Sequence, residues 1–551
     1  MTTSETGHPT TALGSRNRIQ DILARFSANF LILWTPFFFF SSFRGHPLPP
    51  TALAWSIVPF TPAALALTVA AGPNKGIRRV AVFTLAVCLF LDLHAPWFEN
   101  STAIITAALI AILFWLIKEH LALIIAVMFG TMLVMSAFNL PGKQYNNWTP
   151  RKVNETTPQT ATSPDNILIH LVLDEFAGPD SIPQEIPGGA ELKAELANFF
   201  RRNDFTLYPH AISEYASTKA SISGILNYDA GKKPWKYYRG RHPYILNRNP
   251  HFNSLYRHGY KIRVYQSTYM DYCTNSPVPL DSCFTYRFDA TDWLQSSPLD
   301  DIQKMNVLLG MYLNLDGFFE AAWKSYTRIF RYAREHGLPL PQIMAWDGTV
   351  APAATVDMIE YLRRSVAQAP AGTALFGHLL LPHGPYIFDK DCNIQGHPLD
   401  WVSSHPLHEK ANTRAGRRKR YTLYFAQVAC TLNQLQSIFD TLKESGKWHK
   451  TEIILHGDHG ARIFATAPRK QNLKRLGTRD LADGFSTLFA VKSRRWKPPS
   501  DNRVRSVSWL LADLDGAGNQ PASEYEPPVI FLEGEGDEMP WTPMRWQGTT
   551  R

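Results

Sequence analysis

The first 140 residues of this 551-residue chain are written for one solvent and the rest for another, and any fold has to satisfy both. Phe, Leu, Ile, Ala and Val crowd the first part while the remainder is polar, so the mean hydropathy of -0.19 averages over two regions. The chain is also longer than the size at which a single hydrophobic core keeps growing, so at least two structural regions are expected. At roughly 17 to 25 residues per span, apolar stretches fall at 26–43, 50–71, 80–97, 101–117 and 119–140. Pro36 interrupts the first of these, and Asp92 and His94 end the third.

Basic residues set the expected orientation. Arg16, Arg18 and Arg25 precede the first stretch, Lys75, Arg78 and Arg79 separate the second from the third, and Lys118 separates the fourth from the fifth. Those segments are expected on the cytoplasmic side, and the intervening loops carry Arg44 and Glu99. An odd number of spans leaves everything after about residue 141 outside, which predicts a multi-pass protein of the bacterial inner membrane with a periplasmic soluble domain. A cleaved leader fits less well, because the polar start is long and no small-residue cleavage site follows the first apolar run. The expected organisation is a transmembrane region of about five helices over 1–141, a Thr-, Asn- and Pro-rich linker over 142–164, a soluble domain over 165–535 and a tail over 536–551.

The net charge of +9 does not require a nucleic-acid partner. A basic domain outside the cell meets anionic lipid head groups or glycans. The basic run Arg414 to Arg420 reads as the solvated start of a helix. Of the five cysteines, Cys88 lies in an apolar stretch and four lie in the expected oxidising compartment. Cys273 and Cys283, ten apart, suit a local disulfide, Cys392 and Cys430 could pair or stay free, and no CxxC metal spacing occurs.

In the polar part, the run from Asn166 to Leu173 reads as a buried strand, and its continuous apolar character argues a parallel sheet covered on both faces. Helical patterns follow near 191–203 and 218–227, then a strand from Lys261 to Tyr265 and a long helical pattern over 417–445. A second buried strand, Glu452 to Leu455, runs directly into His456-Gly457-Asp458-His459-Gly460. Strands alternating with helices predict a doubly wound α/β domain. Ligands bind such sheets beyond the carboxyl ends of the strands, where both Asp174-Glu175 and Asp458-His459 stand.

These residues carry chemistry. Asp458 and His459 offer a carboxylate and an imidazole on a turn whose flanking glycines let backbone and metal approach. Asp174 is a second candidate ligand, with Glu175 its competitor. The hydroxyl-rich segment Ser213 to Gly224 opens a helix, which puts Thr218 where orphan amides favour a phosphate and a metal can lower the hydroxyl pKa. Ser217 is the alternative nucleophile. In His378-Leu-Leu-Leu-Pro-His383-Gly-Pro-Tyr386, His383 is favoured over His378, which falls inside the apparent strand. Lys219, Arg462 and His383 are candidates to stabilise developing phosphoryl charge.

The order Asp174, Thr218, His383, Asp458-His459 resembles the sulfatase-like branch of the alkaline phosphatase superfamily, and is most similar to five-span phosphoethanolamine transferases and lipoteichoic acid synthases. The resemblance covers the five-span region and roughly 165–495, and Gly457-Asp-His-Gly460 is its most specific element. It implies a first metal on Asp174, Thr218, Asp458 and His459, phosphate or a second metal on His383, and substrate near Tyr386. Ser217-Thr-Lys-Ala-Ser221 lacks the Pro and Arg of the formylglycine motif, so sulfate ester hydrolysis is not expected. The later histidine of the phosphoethanolamine transferases has no match after His459. The implied activity is metal-dependent transfer of a phospholipid-derived head group, phosphoethanolamine or phosphoglycerol, through a phosphothreonine to an envelope glycan or lipid. A hydrolase using water as acceptor and a non-catalytic scaffold are the alternatives. Carboxylate, hydroxyl and imidazole donors together suit zinc or manganese.

Overall fold

The structure, a computed structural model, describes residues 10–43, 49–70, 100–116, 121–138, 163–229, 244–313, 350–396, 401–405, 412–494, 503–516, 528–534 and 542–546, with a few isolated positions between. The chain divides into two compact units, Met1–Tyr145 with Leu294–Met344, and Asn146–Trp293 with Ala345–Arg551. The segment Leu294–Met344 thus groups with the N-terminal unit, although it lies inside the 165–535 range expected for the soluble domain.

The first unit contains helices α1 (Thr10–Phe43), α2 (Pro50–Trp55), α3 (Ile57–Ala70), α4 (Asn100–Leu116) and α5 (Leu121–Phe138). Helices α3 to α5 are apolar all round, with no stripe of charge to face water. Some polar groups described in this unit pair with each other: Asn29 donates to Thr68 at 2.8 Å and the Trp34 indole to Ser56 at 2.8 Å. Four of the expected apolar stretches fall in these helices, and the stretch at 80–97 lies almost wholly outside the described residues. Among the described residues, the Pro50–Val69 segment alone is long and apolar enough to cross a membrane, and Asn29–Ser42 and Ala107–Leu116 are shorter apolar helices. Five membrane spans are therefore not shown.

The second unit is built on a seven-stranded sheet. Its strands are β1 (Ile167–Leu173), β2 (Thr206–Leu207), β3 (Lys261–Ser267), β4 (Ser282–Tyr286), β5 (Thr373–Leu379), β6 (Thr451–Gly457) and β7 (Phe489–Lys492), in the order β2-β7-β6-β1-β5-β3-β4. β1 pairs in parallel with β6 and β5, and β3 in parallel with β5 and β4, but β7 runs antiparallel to β6 and to β2. The sheet is thus mixed rather than wholly parallel. Helices α6 (Gly189–Arg202), α7 (Thr218–Asn227), α8 (Pro250–Arg257), α9 (Ala351–Gln368), α10 (Arg414–Glu444), α11 (Thr478–Phe485) and α12 (Val507–Leu514) surround it.

Because side chains alternate along a strand, β1 sends Leu168, His170 and Val172 to one face and Ile169 and Leu171 to the other. The first face is buried with Phe376 and Ile454 under α7, α8 and α12, through Ile222, Ile225, Phe252, Leu255, Leu510 and Leu511. The second meets α9, where the Tyr265 hydroxyl of β3 bonds Ser365. Each of these buried side chains contributes about 1.5–3 kcal/mol, so both layers are firmly attached. Arg420, the last residue of the expected solvated run, is instead buried and bonds Asn412 at 2.6 Å. Two disulfides close the unit's loops, Cys273–Cys283 between β3 and β4, and Cys392–Cys430 from the segment after β5 to α10.

Register positions the site. Leu173 lies opposite both Gly457 and Leu379, so β1, β6 and β5 end level with one another. Residues just beyond those ends, and the start of α7, come together at one edge.

Candidate metal and nucleophile site

Asp174 continues the β1 line, its N–H donating to the Leu379 carbonyl at 2.9 Å, and its carboxylate is 2% exposed. β6 ends in Gly457, and Asp458 and His459 follow, both fully buried. The two flanking glycines are sterically required. A Cβ at Gly457 would lie 2.2 Å from Thr487 Oγ1 and 2.4 Å from the Phe176 carbonyl, and one at Gly460 would lie 2.1 Å from the Asp483 carbonyl.

Asp174, Asp458 and His459 each offer a ligand atom, all within 4.8 Å of one another. Thr218, the first residue of α7, completes the group. Its Oγ1 lies 3.1 Å from His459 Nε2 and 3.4 Å from each Asp174 carboxylate oxygen. The expected set Asp174, Thr218, Asp458 and His459 is thus a single cluster.

Hydrogen bonding fixes which atoms are free to act as ligands. His459 Nδ1 faces the Gly460 carbonyl at 3.0 Å and must carry the proton there, leaving the Nε2 lone pair aimed at the cluster. Asp458 Oδ1 accepts from the Glu175 and His459 amides at 3.0 and 2.9 Å, whereas its buried Oδ2 has no donor. An orphaned buried carboxylate oxygen 3.1 Å from an imidazole lone pair is a costly arrangement without a cation. The donors present therefore fit a divalent metal.

Electrostatics agree. Burial, then the Arg462 charge, push the His459 imidazole down to about 4, so it is neutral at physiological pH. Burial, then repulsion from Asp174, raise the Asp458 carboxyl well above the ordinary carboxylate range. For Asp174, burial pushes upward, but the neighbouring His383, His378 and His459 outweigh it and hold the carboxyl below that range. Without a cation, burial and mutual repulsion oppose ionising both acids, and the upward push falls on Asp458.

Glu175 does not compete for the metal. Its backbone is left-handed, with φ 62°, which turns the side chain away from the cluster. The carboxylate accepts from Arg462 Nε at 2.8 Å and from Nη2, from Ser404 Oγ at 3.1 Å and from the Gly384 amide at 3.3 Å. Arg462 therefore neutralises a buried acid. It also lies 3.5 Å from His383 Nε2, and the His383 side chain is 25% exposed beside Glu175. Ser217, the alternative nucleophile, is the N-cap of α7 and makes no side-chain cap bond.

Two other expected substrate contacts lie elsewhere. Lys219 Nζ reaches the Tyr244 hydroxyl at 3.3 Å and lies over that ring at 4.9 Å. Tyr386 is fully buried, its ring edge-on to Tyr424 at 5.6 Å, so it offers no surface to a substrate here. The sequence reading passed over His378. Its buried Nε2 lies 3.4 Å from Asp174 Oδ2 with no hydrogen-bond partner, and its Nδ1 lies 3.2 Å from the Tyr272 hydroxyl. A histidine one residue from a strand end, with the side chain on the face that carries α7, was the available signal.

No protein-family model and no curated protein matches the sequence. Solved structures do match. The C-terminal periplasmic domain of EptC from Escherichia coli has 13% identity, covering 73% of this chain and 95% of that one at TM-score 0.40, and the same domain also matches as a complex with Zn. The periplasmic domain of the phosphoethanolamine transferase EptC from Campylobacter jejuni has 10% identity, covering 67% and 93% at TM-score 0.33. Phosphonate monoester hydrolase from Agrobacterium radiobacter has 14% identity, covering 67% and 80% at TM-score 0.37.

Proposed function

We propose that this chain is a membrane-attached, metal-dependent phosphotransferase that takes the phosphorylated head group of a phospholipid onto Thr218 and passes it to an envelope glycan or lipid. The observation that carries the reading is the position of Thr218 Oγ1. It stands at a helix start, 3.1 Å from the His459 lone pair and beside an unpartnered, buried Asp458 oxygen. Asp174, Thr218, Asp458 and His459 would hold the metal, which supplies Lewis acidity and lowers the pKa of the nucleophile's hydroxyl.

The chain's own groups do the rest. Ser217 leaves the first-turn amides of α7 uncapped by its side chain, so they can face a phosphoryl oxygen. Thr218 Oγ bonds to phosphorus, the bond to the diacylglycerol oxygen breaks, and that oxygen ends with the proton lost by Thr218. In the second half, an acceptor hydroxyl bonds to phosphorus, the Thr218 ester breaks, and Thr218 regains a proton from the acceptor. His383 and the Arg462 guanidinium border the phosphoryl group, with the Arg462 charge offset by Glu175.

Support for the membrane and for an extracytoplasmic site comes from two observations. Leu109, Ile112 and Val127 in α4 and α5 are 59–61% exposed, an outward apolar surface that water penalises and lipid does not. Both disulfides require an oxidising compartment. The test is intact-mass measurement of the full chain in detergent with Zn2+ or Mn2+ and candidate phospholipids. A head-group phosphate adduct that is absent in Thr218→Ala is expected. No adduct with any phospholipid would refute the reading, and an adduct released equally fast without any acceptor would make the protein a hydrolase.

A further inference from the structure

The face of the sheet under α7, α8 and α12 carries, within its apolar core, a connected row of polar side chains. His456 Nε2 lies 2.8 Å from His170 Nε2, His170 Nδ1 lies 2.9 Å from His251 Nε2, and His251 Nδ1 lies 2.6 Å from Asp515 Oδ2. Tyr228 donates to the same Asp515 oxygen. All three histidines are at most 1% exposed and the Asp515 side chain 5%. Rings close round them: His170 lies edge-on to Phe376 at 5.2 Å and 5.0 Å from the ring of His456.

The direction of every bond in the row follows from one end. His456 Nδ1 faces the Gly457 carbonyl at 2.8 Å, which can only accept, so that nitrogen carries the proton and His456 Nε2 accepts. His170 must then donate through Nε2 and accept through Nδ1, and His251 must donate through Nε2. Burial, then the charges of His251 and His456, push His170 well below the ordinary histidine range, consistent with one proton on that ring. The contact between His251 and Asp515 must itself hold a proton, and Asp515 is anchored a second time by Tyr228.

What the row connects gives it a role. His170 is on β1, four residues before Asp174, and His456 is on β6, two before Asp458. Tyr228 is the C-cap of α7, whose first residue is Thr218. An α-helix rises 1.5 Å per residue and behaves as a rod, so fixing one end of α7 fixes the height of the other. We propose that His170, His251, His456, Asp515 and Tyr228 form a positioning network that holds β1, β6 and α7 in the register that assembles the metal site, with the His251–Asp515 proton as its key bond. This rests on the reading of Asp174, Thr218, Asp458 and His459 as metal ligands.

The experiment measures Zn2+ and Mn2+ affinity of the full chain in detergent by titration calorimetry, with circular dichroism to confirm folding. Asp515→Ala removes the bond and should weaken metal binding by about tenfold, the lower end of what losing supports behind metal ligands costs. Asp515→Asn supplies an N–H to His251 Nδ1 in place of the shared proton and should restore affinity to within about threefold of wild type. His251→Phe should weaken binding as Asp515→Ala does. If His251→Phe fails to fold, the Asp515 pair decides alone. Wild-type affinity in a folded Asp515→Ala protein, or an Asp515→Asn protein as weak as Asp515→Ala, would overturn the network's role. A wild-type chain that binds neither metal refutes the ligand reading instead, so the two failures are distinct.

Discussion

Replacing Asp458 with Asn should make the metal-free protein more stable while abolishing its response to metal. The side chains are nearly isosteric. The carbonyl oxygen of the introduced amide would still accept from the Glu175 and His459 amides, as Asp458 Oδ1 does now at 3.0 and 2.9 Å. The change falls on Oδ2, which has no donor and stands 3.1 Å from His459 Nε2. An amide NH2 there donates to that lone pair and removes a buried unsatisfied acceptor, which costs about 1–3 kcal/mol. The sign agrees with the titration. The folded-state carboxyl of Asp458 is raised, so what it contributes to stability is present at low pH and lost as pH rises through that raised value. At neutral pH without metal it is a liability that Asn lacks. In the wild type, saturating metal at a hundred times its Kd adds about 2.7 kcal/mol. At about 2–4 °C per kcal/mol, that raises Tm by about 5–10 °C, or somewhat less in so large a chain. Thermal unfolding in detergent, with chelator and with Zn2+, reads both quantities. A chelated Asp458→Asn protein less stable than chelated wild type, or one whose Tm still climbs with Zn2+, would refute this account of the cluster.

Thr218→Ala should eliminate the phosphoryl adduct while leaving metal affinity within about tenfold, because the two carboxylates and the imidazole remain; mass spectrometry and calorimetry read the two separately. Arg462→Met leaves the fully buried Glu175 carboxylate without its cation and should cost about 3–5 kcal/mol in urea unfolding, and adding Glu175→Gln should recover most of that loss. Metal binding should release protons over the pH range in which Asp458, raised above the ordinary carboxylate range by burial, is protonated in the metal-free chain, while His459, pushed down to about 4, contributes none near neutrality. Calorimetry in buffers of different ionisation enthalpy detects the release, and affinity should rise with pH. Cys273→Ser with Cys283→Ser opens a ten-residue loop and should cost about 2–3 kcal/mol, measured as a lower urea midpoint.

The central strands were legible because they are buried on both faces. Ile167 to Leu173, apolar but for His170, runs straight into Asp174, and Ile453 to Leu455 is followed by His456-Gly457-Asp458; the structure places strands at Ile167–Leu173 and Thr451–Gly457. The edge was not legible. β7 has four residues and β2 two, too short for periodicity to register, so the antiparallel β7 that makes the sheet mixed left no pattern in the sequence. The N-terminal unit shows the same limit from the other side. Composition marks apolar stretches, but their hydropathy is alike in every direction, so it cannot say how each helix is placed.

Within the site, the choice between neighbours turned on backbone conformation. Asp174 and Glu175 are adjacent acids after the same strand, and only the left-handed φ of Glu175 decides that one points into the cluster and the other toward Arg462. Arg462 is itself left-handed, at φ 57°, so both ends of this buried ion pair stand on backbone that non-glycine residues rarely adopt. Such conformations persist where surrounding contacts over-determine them, and here the contacts are visible: the Glu175 amide holds Asp458 Oδ1, its carbonyl accepts from Tyr424 at 2.7 Å, and the Arg462 amide donates to the Asp483 carbonyl at 3.2 Å. The ion pair that removed Glu175 from the ligand set therefore also braces the carboxylate beside it. Sequence could supply the donor types for a metal but not this division of labour, because one acid ligates and its neighbour supports only once the turn between them is fixed in three dimensions.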